Sequence, residues 1–130
     1  MRIVDEIARV AQTLPYLKLV ILFGSAAKGR LTPHSDVDIA VAADFVLSFE
    51  EKTDLMIRFS EALHREVDLI DLNAVSGPIL QEVFGSGQII VKKSTSLLVN
   101  LLKKMWYHQA DMMPYINMIV KEQLKRFVNG

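Results

Sequence analysis

Residues 17–41, LKLVILFGSAAKGRLTPHSDVDIAV, decide how the rest of the chain is read. The first seven, LKLVILF, are apolar and rich in β-branched or bulky side chains, and Gly24-Ser25 stops them; this spacing predicts a buried strand. Residues 24–35 are dense in Gly, Ser, Thr and Pro and read as a loop with room for one helical turn. Residues 36–41, DVDIAV, alternate acid with apolar and then turn apolar, which predicts a second strand with its polar end first. Side chains two apart on a strand share a face, so Asp36 and Asp38 aim two carboxylates at one place. Paired carboxylates repel, and a divalent cation removes that cost. Magnesium, which takes a few carboxylates together with phosphate oxygens and water, suits such a pair. At the end of the preceding strand, Gly24 and Ser25 offer backbone N–H groups and a hydroxyl to phosphate oxygens.

Outward from this stretch the pattern alternates between helix and strand. Ile3, Ile7, Val10, Ala11 and Leu14 recur at helical spacing ahead of Pro15. Residues 48–63 predict a second helix, opened by a capping box of Ser48 and Glu51 and carrying Leu55, Phe59 and Leu63 on one stripe. Residues 66–72, EVDLIDL, predict a third strand with Glu66, Asp68 and Ile70 on one face and Val67, Leu69 and Asp71 on the other. Asp68 is thereby placed to add a third carboxylate, with Asp71 its competitor. A short helix at 79–84, a fourth strand at 88–91 and a long helical segment at 95–128, with a kink at Pro114, complete the chain. Without repeats or a linker, the expectation is one domain over 1–130, of α/β or α+β class.

Composition narrows the function. The 130 residues are 51% hydrophobic, enough for a core, and the 15 basic and 15 acidic side chains cancel. Zero net charge supplies no field for steering nucleic acid, so a basic nucleic-acid module is disfavoured. The absence of cysteine removes disulfides, thiolate metal sites and cysteine nucleophiles together. MRIVDEIARV is charged and amphipathic, unlike a signal peptide, and no stretch has the roughly 20 apolar residues of a membrane span. A cytoplasmic protein is expected.

Taken together, Gly-Ser, ten residues and Asp-x-Asp should occur by chance about once in a thousand chains of this length. This segment resembles the signature of the DNA polymerase β-like nucleotidyltransferase superfamily. LFGSAAKG, SDVDIAV and EVDLIDL look like the minimal nucleotidyltransferases (MNT), commonly the antitoxin half of HEPN/MNT toxin–antitoxin pairs. The resemblance runs over residues 17–91. It implies a mixed sheet flanked by helices, two magnesium ions and ATP as donor. It implies that Gly24 and Ser25 bind the triphosphate, that Asp36 and Asp38 hold both metals, and that Asp68 holds the metal that activates the acceptor hydroxyl. The hydrophobic-acid-hydrophobic pattern of the family favours Asp68 over Asp71. Many relatives carry arginines just after Gly-Ser. In this chain Ala26 and Lys28 stand at those positions, with Arg30 close by, and Lys28 keeps the charge without the bidentate fork. Lys28, Arg30 and Ser35 join the expected nucleotide-binding set. The resemblance further implies AMP transfer to a hydroxyl, a tyrosine hydroxyl, on a cognate HEPN ribonuclease toxin. The alternative is a non-catalytic antitoxin that binds and masks its toxin.

The remaining features read as structural. His34, His64 and His108 show no metal-ligand spacing, and no G-x-S-x-G surrounds Ser25 to make it a hydrolase nucleophile. Lys103, Lys104, Lys121, Lys125 and Arg126 read as solvated helix charges. Trp106, Tyr107, Met112, Met113, Tyr115 and Met118 concentrate apolar and aromatic groups near the end of the chain. They read either as core or as a partner-binding face, and a toxin-binding C-terminal helix is the expectation.

Overall fold

The computed structural model describes residues 2–107, 121–123 and 125. Its elements follow the predicted order: α1 (Ile3–Gln12), β1 (Leu19–Phe23), α2 (Gly24–Ala27), β2 (Val37–Ala42), α3 (Phe49–Leu63), β3 (Val67–Asp71), α4 (Pro78–Ser86), β4 (Gln88–Lys92) and α5 (Thr95–Tyr107). The four strands form one sheet in the order β3-β2-β1-β4. β1 runs antiparallel to both β2 and β4, while β2 and β3 are parallel and joined through α3. The sheet is therefore mixed and flanked by helices.

Strand alternation divides the core into two layers. Val20, Leu22, Val37, Ile39, Val41, Val67 and Leu69 point to one face and pack with α1 and α3 through Ile7, Val10, Leu55, Phe59 and Leu63. Leu19, Ile21, Phe23, Ala40 and Ala42 point to the other and pack with α4 and α5 through Leu80, Val83, Phe84, Leu98 and Leu102. β1 is buried on both faces, which is why it reads as an unbroken apolar run. The α3 capping box forms as its sequence requires. The Glu51 amide donates to Ser48 Oγ at 3.1 Å, and the Ser48 amide donates to Glu51 Oε1 at 2.9 Å.

Several boundaries differ from the sequence reading by one or two residues, among them the starts of β1 and β2. Leu17 is buried but belongs to a turn, its amide donating to Leu14 O at 3.1 Å, so β1 begins two residues later. β2 begins at Val37, so Asp36 is an exposed residue on the lip of the strand rather than its first member. At the far end, Met105 is fully buried and Trp106 packs against the α4–α5 layer, whereas Tyr107 is 85% exposed. The start of the aromatic segment is thus core. His108, Met112, Met113, Pro114, Tyr115 and Met118 lie outside the described residues, and with them the expected toxin-binding face. Among the described residues no helix is long and apolar enough to cross a membrane.

Candidate active site

One end of the sheet gathers the residues of the motif. β1 ends at Phe23, the register partner of Asp38. Gly24 then turns with φ 68°, a left-handed conformation that favours glycine, and starts the single turn of α2. No side chain caps that turn. Ser25 is exposed beside it, and the Arg30 amide returns to Ser25 O at 2.9 Å to close the loop. Lys28 and Arg30 are exposed, and among the described residues neither joins an ion pair.

Asp38 lies opposite Asp68 in the parallel β2–β3 register. It sits on the α4–α5 side of the sheet, as its neighbours Ala40 and Ala42 do. Its carboxyl is pushed above the ordinary carboxylate value, first by burial, then by the charges of Asp68, Asp36 and Glu82. Three acids therefore bear on one half-buried carboxylate, with no basic side chain among the causes. Glu82 comes from α4, and nothing in the local sequence marks it; only the docking of α4 over the sheet brings it there. Among the described residues no three of these groups close into a ready-made cage. Hard oxygen donors gathered at one end of the sheet still fit magnesium, which keeps water and takes substrate phosphate oxygens rather than filling an all-protein cage.

Gly24 meets this cluster directly. A Cβ built on Gly24 would land on Oδ2 of Asp38 and lie 3.1 Å from its Cγ. The glycine is thus required both by its backbone angle and by the carboxylate beneath it.

The two candidates for a third acid separate by face. Asp68 is exposed beside Asp38, whereas Asp71 is buried on the α3 side of the sheet. Asp71 accepts from the Leu47 amide at 2.8 Å and the Asn73 amide at 2.9 Å, fixing the loop that precedes α3. Asp68→Asn is accordingly expected to suppress transfer with little change in melting temperature. Asp71→Asn is expected to lower stability by about 1–3 kcal/mol, because a buried carboxylate accepting from two backbone amides is replaced by a group that can satisfy them only in part. Denaturant unfolding and transfer assays on both variants check the pair, and the reverse pattern would show the register to be misassigned.

Ser35 has a local task. Its Oγ lies 2.7 Å from Thr32 Oγ1 and accepts from the Thr32 amide at 3.0 Å, so the hydroxyl braces the loop. His34 and His64, separated by thirty positions in sequence, line one cavity of about 330 Å³ with Asp36, Arg65 and Glu66. No motif in the sequence marks Arg65. Its guanidinium reaches the carbonyls of Thr32 and Ser35, at 2.7 and 3.2 Å.

Comparison with known proteins identifies the family and the fold. A family model described as polymerase beta, nucleotidyltransferase, matches residues 5–96, more than half of the chain. The protein adenylyltransferase MntA of Shewanella oneidensis is 37% identical over 75 residues, covering 58% of this chain and 54% of that protein. The protein of the same name from Aphanizomenon flos-aquae is 29% identical over 100 residues, covering 65% and 63%. The match thus spans less than two thirds of the length of each of these two relatives. Among solved structures, a toxin–antitoxin with AMP-PNP superposes with a TM-score of 0.71 at 27% identity, over 90% of this chain and 98% of the other. A tri-AMPylated Shewanella oneidensis HEPN toxin in complex with MNT antitoxin gives 0.65 at 27% identity, over 91% and 96%.

Proposed function

Because this chain belongs to the polymerase beta nucleotidyltransferase family, we propose that it is the antitoxin enzyme of a toxin–antitoxin pair. It transfers AMP from ATP to a hydroxyl, a tyrosine hydroxyl, of a HEPN-domain toxin. The observation that carries this reading is the crowding of Asp36, Asp68 and Glu82 around Asp38 beneath the Gly24 turn. A fold gains nothing from gathering like charges on a half-buried carboxylate, whereas a cation-dependent phosphate chemistry does. The adenylyltransferase names of the relatives and the toxin–antitoxin complexes among the solved neighbours support the acceptor class.

In the reaction, the acceptor oxygen forms a bond to the α-phosphorus of ATP. The bond from that phosphorus to the bridging oxygen breaks, pyrophosphate leaves, and the hydroxyl proton passes to solvent. Asp36, Asp38 and Asp68 would hold two magnesium ions, which would supply the Lewis acidity that lowers the hydroxyl pKa and offsets the charge of the leaving pyrophosphate. The uncapped α2 turn and the Ser25 hydroxyl bind the triphosphate at the β1 side of the acids. Lys28 and Arg30, exposed on the same loop, add cationic contacts. Asp68, on β3, lies toward the other side of the site. Positioning and charge neutralisation, rather than a covalent intermediate, carry the rate. An adenylate on the toxin adds bulk and a negative charge where an RNA phosphate must approach, so it opposes substrate binding twice.

The masking alternative has one observation in its favour. Phe45, Val46 and Phe49 are exposed together before and at the start of α3, and Asn73 Nδ2 holds their loop by donating to Ala43 O at 2.8 Å and Phe45 O at 3.3 Å. Such a patch suits partner contact. Catalysis and masking separate on stoichiometry. A limiting amount of the chain is incubated with excess HEPN toxin, ATP and magnesium, then removed, and the toxin is weighed. Adenylate on most toxin molecules, with lasting loss of ribonuclease activity, is the expected result. Unmodified toxin that recovers once the chain is removed would leave masking as the function.

A further inference from the structure

We infer that Arg65 is the positioning residue of the metal-binding acids, clamping the segment that carries Asp36 to the segment that carries Asp68. The inference rests on the reading of Asp36, Asp38 and Asp68 as the magnesium site.

The loop from Thr32 to Ser35 is braced internally. Ser35 N donates to Thr32 O at 3.1 Å, and the two hydroxyls meet at 2.7 Å. Those bonds give the turn a shape but do not fasten it to the fold. Among the described residues, the side chain that fastens it from outside is Arg65, whose single Nη1 donates to Thr32 O and to Ser35 O. The second of these carbonyls belongs to the peptide that joins Ser35 to Asp36. On the other side, Arg65 precedes β3 by two residues and Asp68 by three. The Val37 amide donates to Glu66 O at 3.0 Å, so the backbone link between the two strands begins only beyond Asp36. Asp36, on the exposed lip of β2, depends on the guanidinium for its place relative to Asp68.

The chain is bent to make this contact. α3 ends at His64 in the left-handed conformation, φ 53° and ψ 39°, without the glycine that usually occupies it. That turn reverses the chain between α3 and β3 and swings Arg65 under the motif loop. A strained residue beside a functional cluster is a place where geometry has been favoured over local stability. Lysine can also bring one nitrogen to two carbonyls, as Lys104 Nζ does at Asn73 O and Val75 O, but its ammonium ends one bond short of Nη1 and lacks the planar guanidinium, so it replaces only part of the clamp.

The test uses the full chain and manganese alone as the probe for magnesium. Metal affinity is read by electron paramagnetic resonance in the parent, in Arg65→Ala and in Arg65→Lys, with the metal-free melting temperature and amide hydrogen exchange over residues 32–37 measured on each. Loss of an outer group that orients metal ligands costs about 10–100-fold in affinity. Arg65→Ala should therefore bind manganese at least about tenfold more weakly, with faster exchange in the loop, and Arg65→Lys should fall between. Millimolar guanidinium should restore affinity to Arg65→Ala and leave the parent unchanged. A role confined to stability would move the melting temperature without this rescue. Parent-like manganese affinity in Arg65→Ala overturns the clamp alone. No manganese binding by the parent overturns the metal-site reading and the clamp with it. If Arg65→Ala does not fold, Arg65→Lys with parent affinity and parent exchange rates overturns the inference.

Discussion

Asp38→Asn should abolish transfer, by about three orders of magnitude, while the metal-free protein melts no lower than the parent. The two halves of this result have one cause. Asp38 is the acid on which burial and the charges of Asp68, Asp36 and Glu82 converge. On the proposed reading, removing its charge deprives a cation of its central ligand, and it also relieves repulsion that the metal-free fold must bear. The pH dependence follows with a definite sign. A carboxyl raised in the folded state contributes stability below its unfolded value, the ordinary 3.8 of an aspartate, and that contribution is lost as pH rises through the folded value. The parent, measured with a chelator present, should therefore lose stability relative to Asp38→Asn as pH climbs from that ordinary value, and then run parallel to it. Magnesium should restore the parent and not the variant. Thermal melts from acid to neutral pH, with and without magnesium, check both statements. A variant that transfers AMP at the parent rate would remove Asp38 from the mechanism.

Gly24→Ala is expected to be nearly as severe, by a different route. The residue sits at φ +68°, where a side chain costs about 1–2 kcal/mol. Its new Cβ would also fall on the Asp38 carboxylate, so either the turn or the acid must move. Displacement of a reacting group by an ångström costs about 100-fold in rate, and that is the expected loss of transfer. Gly29→Ala is the internal control. Gly29 has φ +69°, but a Cβ there meets nothing within 4 Å. It should show the backbone cost in denaturant unfolding and keep most of its activity. Equal activity in the two variants would mean that the contact between Gly24 and Asp38 has no catalytic consequence.

Much of this architecture was legible in local pattern. The period-two alternation of DVDIAV and EVDLIDL set which side chains share a face, because a strand has no freedom to do otherwise. The same alternation set Asp68 and Asp71 apart, and their burial follows it. The capping box at Ser48 and Glu51 was readable because both partners lie within one turn. Ser35 shows the limit. Its residue type and position suit phosphate, and only the loop geometry adds that its hydroxyl braces Thr32.

The sequence by itself therefore determined the strands, the glycine turn and the face on which Asp38 and Asp68 lie, since each follows from spacing along a single element, whereas Asp36 falls outside the strand that was to orient it. Only the tertiary structure decided what surrounds them. Glu82 bears on Asp38 because α4 docks across the sheet, and Gly24 covers Asp38 because β1 and β2 pair in one register of several that their apolar runs allow. Arg65 reaches Thr32 and Ser35 because the left-handed end of α3 turns it toward a loop thirty residues earlier. Contacts of that kind depend on how finished elements pack against one another, and no periodicity within either element encodes them.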